Sequence, residues 1–169
     1  MARTVLEDCR TALATIHDVQ GSDWRWRWVA VVALLRSVGL VLYGTDREQG
    51  DDVWKQVIDK AWSQSKPPIF RDFIEEDRNN IIHEYRFRAG QSVRVFASAV
   101  TARFGIGTVP DASPDPVPPP RSPEYGYPIT EGPYKGRDQH DVATEAIAWW
   151  EQYLDAIEAE VARLTAQKP

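Results

Sequence analysis

The sequence predicts an all-α fold, an up-and-down helical bundle that carries one long proline-rich stretch. Three observations lead there. From Asp138 to Ala166 apolar side chains recur at alternating steps of four and three, at Ala143, Ile147, Trp150, Leu154, Ile157, Val161 and Leu164. That is the seam of a helix packed lengthwise on another helix. The segment from Asp23 to Tyr43 is apolar almost all round, as a helix at the centre of a bundle, or with a second face in an interface, must be. Nine of the twelve prolines fall between Phe104 and Arg137, so residues 104–137 cannot be regular helix or central strand.

Taken in order, Ala2 to Val19 sets Val5, Cys9, Ala12, Leu13 and Ile16 along one face, an amphipathic helix. Gly21, Ser22 and Asp23 supply a turn and an N-cap for the second helix. Its opening, Trp24-Arg25-Trp26-Arg27-Trp28, interleaves rings and cations as base-stacking surfaces do. Trp24 and Trp28, however, lie one turn apart and continue into Val31 and Leu35, which points to packing in the core or in a dimer.

Gly44 to Gly50 reads as a polar break, after which Asp51 or Asp52 caps a helix of Val53, Trp54, Val57, Ile58, Ala61 and Trp62. Pro67-Pro68 ends it, and Pro68 opens a fourth helix predicted to run to about Phe87. Beyond Gly90, residues 92–100 are rich in β-branched side chains and fit either a short strand or a helical continuation. Tyr125 to Thr130 is the candidate second strand of a small hairpin. Gly132 to Asp138 then forms either a plain turn, with Asp138 or Asp141 as N-cap, or a basic turn offering Lys135 and Arg137 to a phosphate.

At 169 residues a single domain with one core is expected. Seven Trp, six Tyr and five Phe exclude a disordered chain. The lone Cys9 forbids an internal disulfide and fits a reducing cytoplasm. Residues 28–43 are too short for a membrane span and carry Arg36 in their middle, so a soluble protein without a membrane partner is expected. A net charge of -5 argues against non-specific coating of nucleic acid. A local basic region is still available, because Tyr85 to Pro110 holds Arg86, Arg88, Arg94 and Arg103 and no acid. Three dispersed histidines and one cysteine give no metal-ligand spacing, and no cofactor fingerprint is present, so neither is expected.

The chemistry concentrates in the fourth helix, at Asp77-Arg78-Asn79-Asn80-Ile81-Ile82-His83-Glu84-Tyr85. Histidine moves protons near neutral pH, and arginine holds a phosphate and the negative charge that develops on it. Arg78, Asn79 and His83, spaced Arg-x4-His with an amide directly after the arginine, resemble the signature of the HEPN family of small helical ribonucleases. With Tyr85 the pattern extends to Arg-x4-His-x-Tyr, similar to HEPN toxins paired with a nucleotidyltransferase antitoxin that modifies this tyrosine. The resemblance covers the motif helix and, beyond it, only the architecture.

The resemblance implies a metal-independent endoribonuclease in which the ribose 2′-OH attacks the adjacent phosphodiester. Arg78, Asn79 and His83 would be catalytic, Arg86, Arg88, Lys135 and Arg137 would bind RNA phosphate, and Tyr85 would be a candidate for modification. RNA, a second copy of the chain and an antitoxin protein would be its partners. Family members that lack catalysis give the alternative, an interaction module acting through dimer or partner contacts. On a straight helix Arg78 and His83 point about 140° apart. Their convergence therefore requires a kinked or later-starting helix, an arginine side chain that wraps round, or a cleft shared by two chains. The same arithmetic puts Tyr85 on the apolar side with Phe70, Phe73, Ile74 and Ile81, and Asn79 and His83 opposite.

Overall fold

The structure, a computed structural model, describes residues 1–16, 19, 21–89, 92–94 and 124–167. It is mostly helical. Helix α1 is Ala2–Ala14, and Ala2, Leu6, Cys9 and Leu13 face inward at steps of four, three and four. It packs along α2, Gly21–Val41. Here Asp23 lies within the first turn rather than before it, where its charge favours the positive end of the helix dipole. Trp24, Trp28, Val31, Leu35 and Val38 of α2 are buried. By length and composition the helical run from Ser22 to Gln49 would suffice to cross a membrane, but here its buried side packs on α1 and on the helices Glu76–Glu84 and Gln139–Ala166.

The expected break at Gly44 to Gly50 is a correction. The helix continues through a π-helical turn, Leu42–Asp46, and a last helical turn, α3, Arg47–Gln49. The polar residues that suggested a break have found distant partners instead. Asp46 accepts from the Met1 ammonium at 2.9 Å and from the Ala2 backbone N–H at 2.8 Å, so it closes the start of α1. Arg47 grips both oxygens of Asp59 at 2.7 and 2.9 Å. The π turn absorbs the extra residue, and the chain leaves the helix at Gly50.

Helix α4, Asp52–Ser63, starts at Asp51, whose carboxylate accepts from the Trp54 N–H at 2.9 Å. A π-helical segment, Ile69–Glu75, leads into α5, Glu76–Glu84. Phe70, Phe73, Ile74 and Ile81 face the core as their spacing predicts. The helix stops at Glu84, short of Phe87, because Tyr85 turns left-handed (φ 50°, ψ 34°). The Tyr85 N–H then bonds back to the Ile81 carbonyl at 3.1 Å, the bond of a left-handed helix cap, and the Arg86 N–H bonds to the Asn80 carbonyl at 3.0 Å.

Strand β1, Ser92–Arg94, pairs antiparallel with β2, Glu124–Gly126, in the register Ser92 to Gly126 and Arg94 to Glu124. Single bridges join Ala89 to Ile129 and Pro128 to Asp138. The second strand is thus three residues long and ends before Pro128, which has no N–H for a ladder. The rest of residues 95–100 and most of the proline-rich stretch, 104–123, lie outside the described residues.

Helix α6, Gln139–Ala166, is capped by Asp138, which accepts from the His140 N–H at 2.8 Å. Its seam, from Ala143 through Ile147, Trp150, Leu154 and Ile157 to Val161, is buried. Trp150 inserts deepest, donating its indole N–H to the Leu35 carbonyl at 2.8 Å. Gly39 makes the space: a Cβ there would lie 2.8 Å from the rings of both Trp150 and Trp62. One core cluster draws on α1, α2, α4, α5 and α6.

Candidate functional site

Helix α5 divides its residues as an amphipathic helix should, and the division places the motif. Asp77, Asn80 and Ile81 are buried, whereas Asn79 and His83 are exposed and Arg78 is half-buried between the two sides. The three motif residues meet within one chain. The Arg78 Nη1 donates to the Asn79 side-chain carbonyl at 2.9 Å and lies 3.1 Å from His83 Nε2. Of the ways to close the 140° gap, the structure takes the long arginine that wraps round the helix. Arginine has only donors, so His83 Nε2 accepts. The contact is a hydrogen bond for the neutral tautomer that has its proton on Nδ1.

Behind the motif stands an element that the sequence did not reveal. Arg36, the lone cation in the apolar run of α2, reaches Glu75 at 3.4 Å and lies over the Phe70 ring at 5.5 Å. Burial holds its charged form below the ordinary arginine range; Glu75 opposes this and the Arg78 charge adds to it. The signal was present in the sequence as a charge inside an apolar helix, but its partner was not.

The proposed phosphate binders separate. Arg88 is 5% exposed. It makes a direct ion pair with Asp77, donates to the Asp72 carbonyl at 2.7 Å and meets Glu76 at 3.2 Å. Its own carbonyl accepts from Thr130 through the backbone N–H at 2.6 Å and the hydroxyl at 2.7 Å. Gly132, at φ 79°, passes so close that a Cβ would sit 2.9 Å from Arg88 Nη1. Arg88 is therefore an internal tie between the motif helix and residues 130–132, and its guanidinium is turned away from solvent.

Arg86 stays at the surface, bonded to Asn80 at 3.0 Å and flanked by Glu84 and Glu131 at 3.7 Å each. Arg137 pairs with Glu145 at 2.8 Å and covers the Tyr134 ring, while Lys135 is exposed on the same turn. Among the described residues no hydrogen bond or ion pair joins Lys135 or Arg137 to Arg78, Asn79 or His83.

Burial pushes the Asp77 carboxyl up to about 6, against the opposing pull of the Arg88 charge. Tyr85 departs from expectation. The left-handed residue at the helix end swings it off the apolar side, and it is 67% exposed. Among the described residues it is the only one other than glycine with positive φ. For a side chain of that size the conformation costs roughly 1–2 kcal/mol. Its ring meets Phe87 edge to face, with centroids 5.2 Å apart.

Among the described residues no group of three or more His, Cys, Asp or Glu side chains converges as a metal site would require. A cavity of about 330 Å³ lies between the start of α1, the π turn of α2 and the end half of α6, and no motif residue lines it. No protein-family model, curated protein or solved structure matches this chain.

Proposed function

We propose that the chain is a metal-independent endoribonuclease of the HEPN type, with the helices forming a HEPN-like up-and-down bundle. The observation that carries this reading is the Arg78 guanidinium joining Asn79 to His83 Nε2 on an exposed helix face. A ribonucleolytic transfer needs no external nucleophile, because the ribose 2′-OH attacks its own phosphodiester. The 2′ oxygen gives up its proton, the bond from phosphorus to the 5′ oxygen breaks, and that leaving oxygen takes a proton. His83 Nε2 is the group to accept or return a proton, and Arg78 is the group to hold the charge on the equatorial oxygens. Arg78 now donates to Nε2; a bound phosphate would draw the guanidinium to itself and release the lone pair for catalysis. Asn79 would orient the pair or donate its amide to the phosphate.

Such an enzyme would act in the cytoplasm as a toxin or defence effector held by an antitoxin. It would work as a homodimer in which a second His83 completes the acid-base pair. The outer side of α2 supports association: Trp26 and Leu40, 59% and 53% exposed, lie on the same side of the helix. The same apolar face also supports the second reading, a non-catalytic module that acts through dimer or partner contacts.

The test is cleavage of mixed single-stranded and transfer RNA in excess EDTA, with wild type beside Arg78→Ala and His83→Ala. Cutting that both substitutions abolish, with helicity and melting unchanged, supports the nuclease. Absence of cutting, or cutting indifferent to both changes, moves the assignment to the interaction module.

A further inference from the structure

Tyr85 combines two features that work against stability: a left-handed backbone that side chains rarely adopt, and an aromatic ring left mostly in water. Neither is needed to end the helix, since glycine or asparagine would make the same cap without strain. The ring is nonetheless firmly mounted. It abuts Phe87 at 86°, Phe87 packs on Trp24 at 5.9 Å, and Trp24 stacks on Tyr127 at 4.6 Å with the planes 3° apart. Trp24 and Tyr127 belong to the core, and the Tyr127 hydroxyl is anchored on the Val19 carbonyl at 2.6 Å. An exposed ring thus stands at the end of an aromatic ladder rooted in the interior.

Its surroundings select a ligand. His83 is two residues before it, the half-exposed Ile82 three before it, and Arg86, itself flanked by Glu84 and Glu131, follows directly. An exposed ring at the end of the helix that carries Arg78, followed in the chain by a second surface arginine, supplies the two elements that hold single-stranded nucleic acid: stacking for the bases and charge for the backbone. We propose that Tyr85 is a base-stacking platform, taking the nucleobase of a nucleotide next to the phosphate held at Arg78. This rests on the ribonuclease reading, and it adds a base contact to a site otherwise described only by its phosphate chemistry.

The experiment measures binding of a fluorescein-labelled single-stranded RNA oligonucleotide whose riboses are 2′-O-methylated, so that it cannot be cut. Wild type is compared with Tyr85→Phe, Tyr85→Gly and Arg78→Ala across a salt series. Tyr85→Gly removes the ring while easing the backbone, so its melting temperature reports that the fold is intact. The expected result is a loss of affinity of about five- to a hundredfold for Tyr85→Gly, near-wild-type binding for Tyr85→Phe, and an unchanged salt slope for both. Arg78→Ala should instead flatten the salt slope.

Equal affinity of wild type and Tyr85→Gly would overturn the stacking role and leave the nuclease reading standing. Ring-dependent binding by a protein that fails to cut unmodified RNA would keep the platform and remove the nuclease. No binding by wild type would overturn both.

Discussion

Replacing Arg88 with methionine tests whether an internal ion pair holds the motif helix to the turn beneath it. The guanidinium and the Asp77 carboxylate it meets are 4% and 5% exposed. Losing one partner therefore strands a charge in the interior, which costs about 3–5 kcal/mol rather than the fraction of a kcal/mol typical of a surface pair. The bond to the Asp72 carbonyl goes as well. For a chain of 169 residues, the melting temperature should fall by about 6–20 °C. The assay is thermal and urea unfolding at pH 8, where Asp77 is ionised, followed by circular dichroism and tryptophan fluorescence. Asp77→Leu with Arg88→Met should recover most of the loss, because removing both charges also removes the desolvation they impose. A single substitution costing less than about 1 kcal/mol, or a double variant no more stable than the single one, would refute the argument.

Two further outcomes follow from the packing. Burial raises the Asp77 carboxyl from 3.8 to about 6, so between those values the folded chain holds a proton that the unfolded chain has released. Its contribution to stability is full below about 3.8 and is lost as pH rises through about 6, roughly 3 kcal/mol in all. Melting of wild type against Asp77→Asn from pH 7 down to pH 4 should show wild type gaining on the variant, and a constant difference would contradict this. Gly39→Ala should lower stability despite the better helix propensity of alanine, worth about 1 kcal/mol, because crowding both tryptophans costs about 1–3 kcal/mol. Gly44→Ala, with nothing within 4 Å of the new Cβ, should show the propensity gain alone, and the two melting temperatures read side by side decide the matter.

What was legible in the sequence was what depends on neighbours in the chain. The α6 seam from Ala143 to Val161, the Asp51 cap and the inward face of Phe70, Phe73, Ile74 and Ile81 all follow from spacing. The outward placement of Asn79 and His83 on α5 follows from spacing as well. Straight-helix geometry could not say how Arg78 reaches His83, because that depends on the rotamer of a long side chain and not on periodicity. The sequence misled wherever a distant partner decided the outcome. Asp46 and Arg47 looked like a break until Met1 and Asp59 were seen to hold them. Arg88 looked like a surface cation because its carboxylate partner, Asp77, lies on the buried side of another element. Helical spacing puts Tyr85 inward, and nothing in its identity announces a left-handed residue.

The pairing of Ser92–Arg94 with Glu124–Gly126, reinforced by the bridge from Ala89 to Ile129, brings the chain back to the point it left. Residues 92–94 and 124–126 therefore form a short two-stranded stem at the end of the motif helix. Closing such a stem costs chain entropy that grows only with the logarithm of the enclosed length, about 0.6 kcal/mol per doubling. Lengthening the sequence between the two strands would therefore change the cost of closing the stem only slightly. The sequence between the two strands is rich in proline where the helices are not.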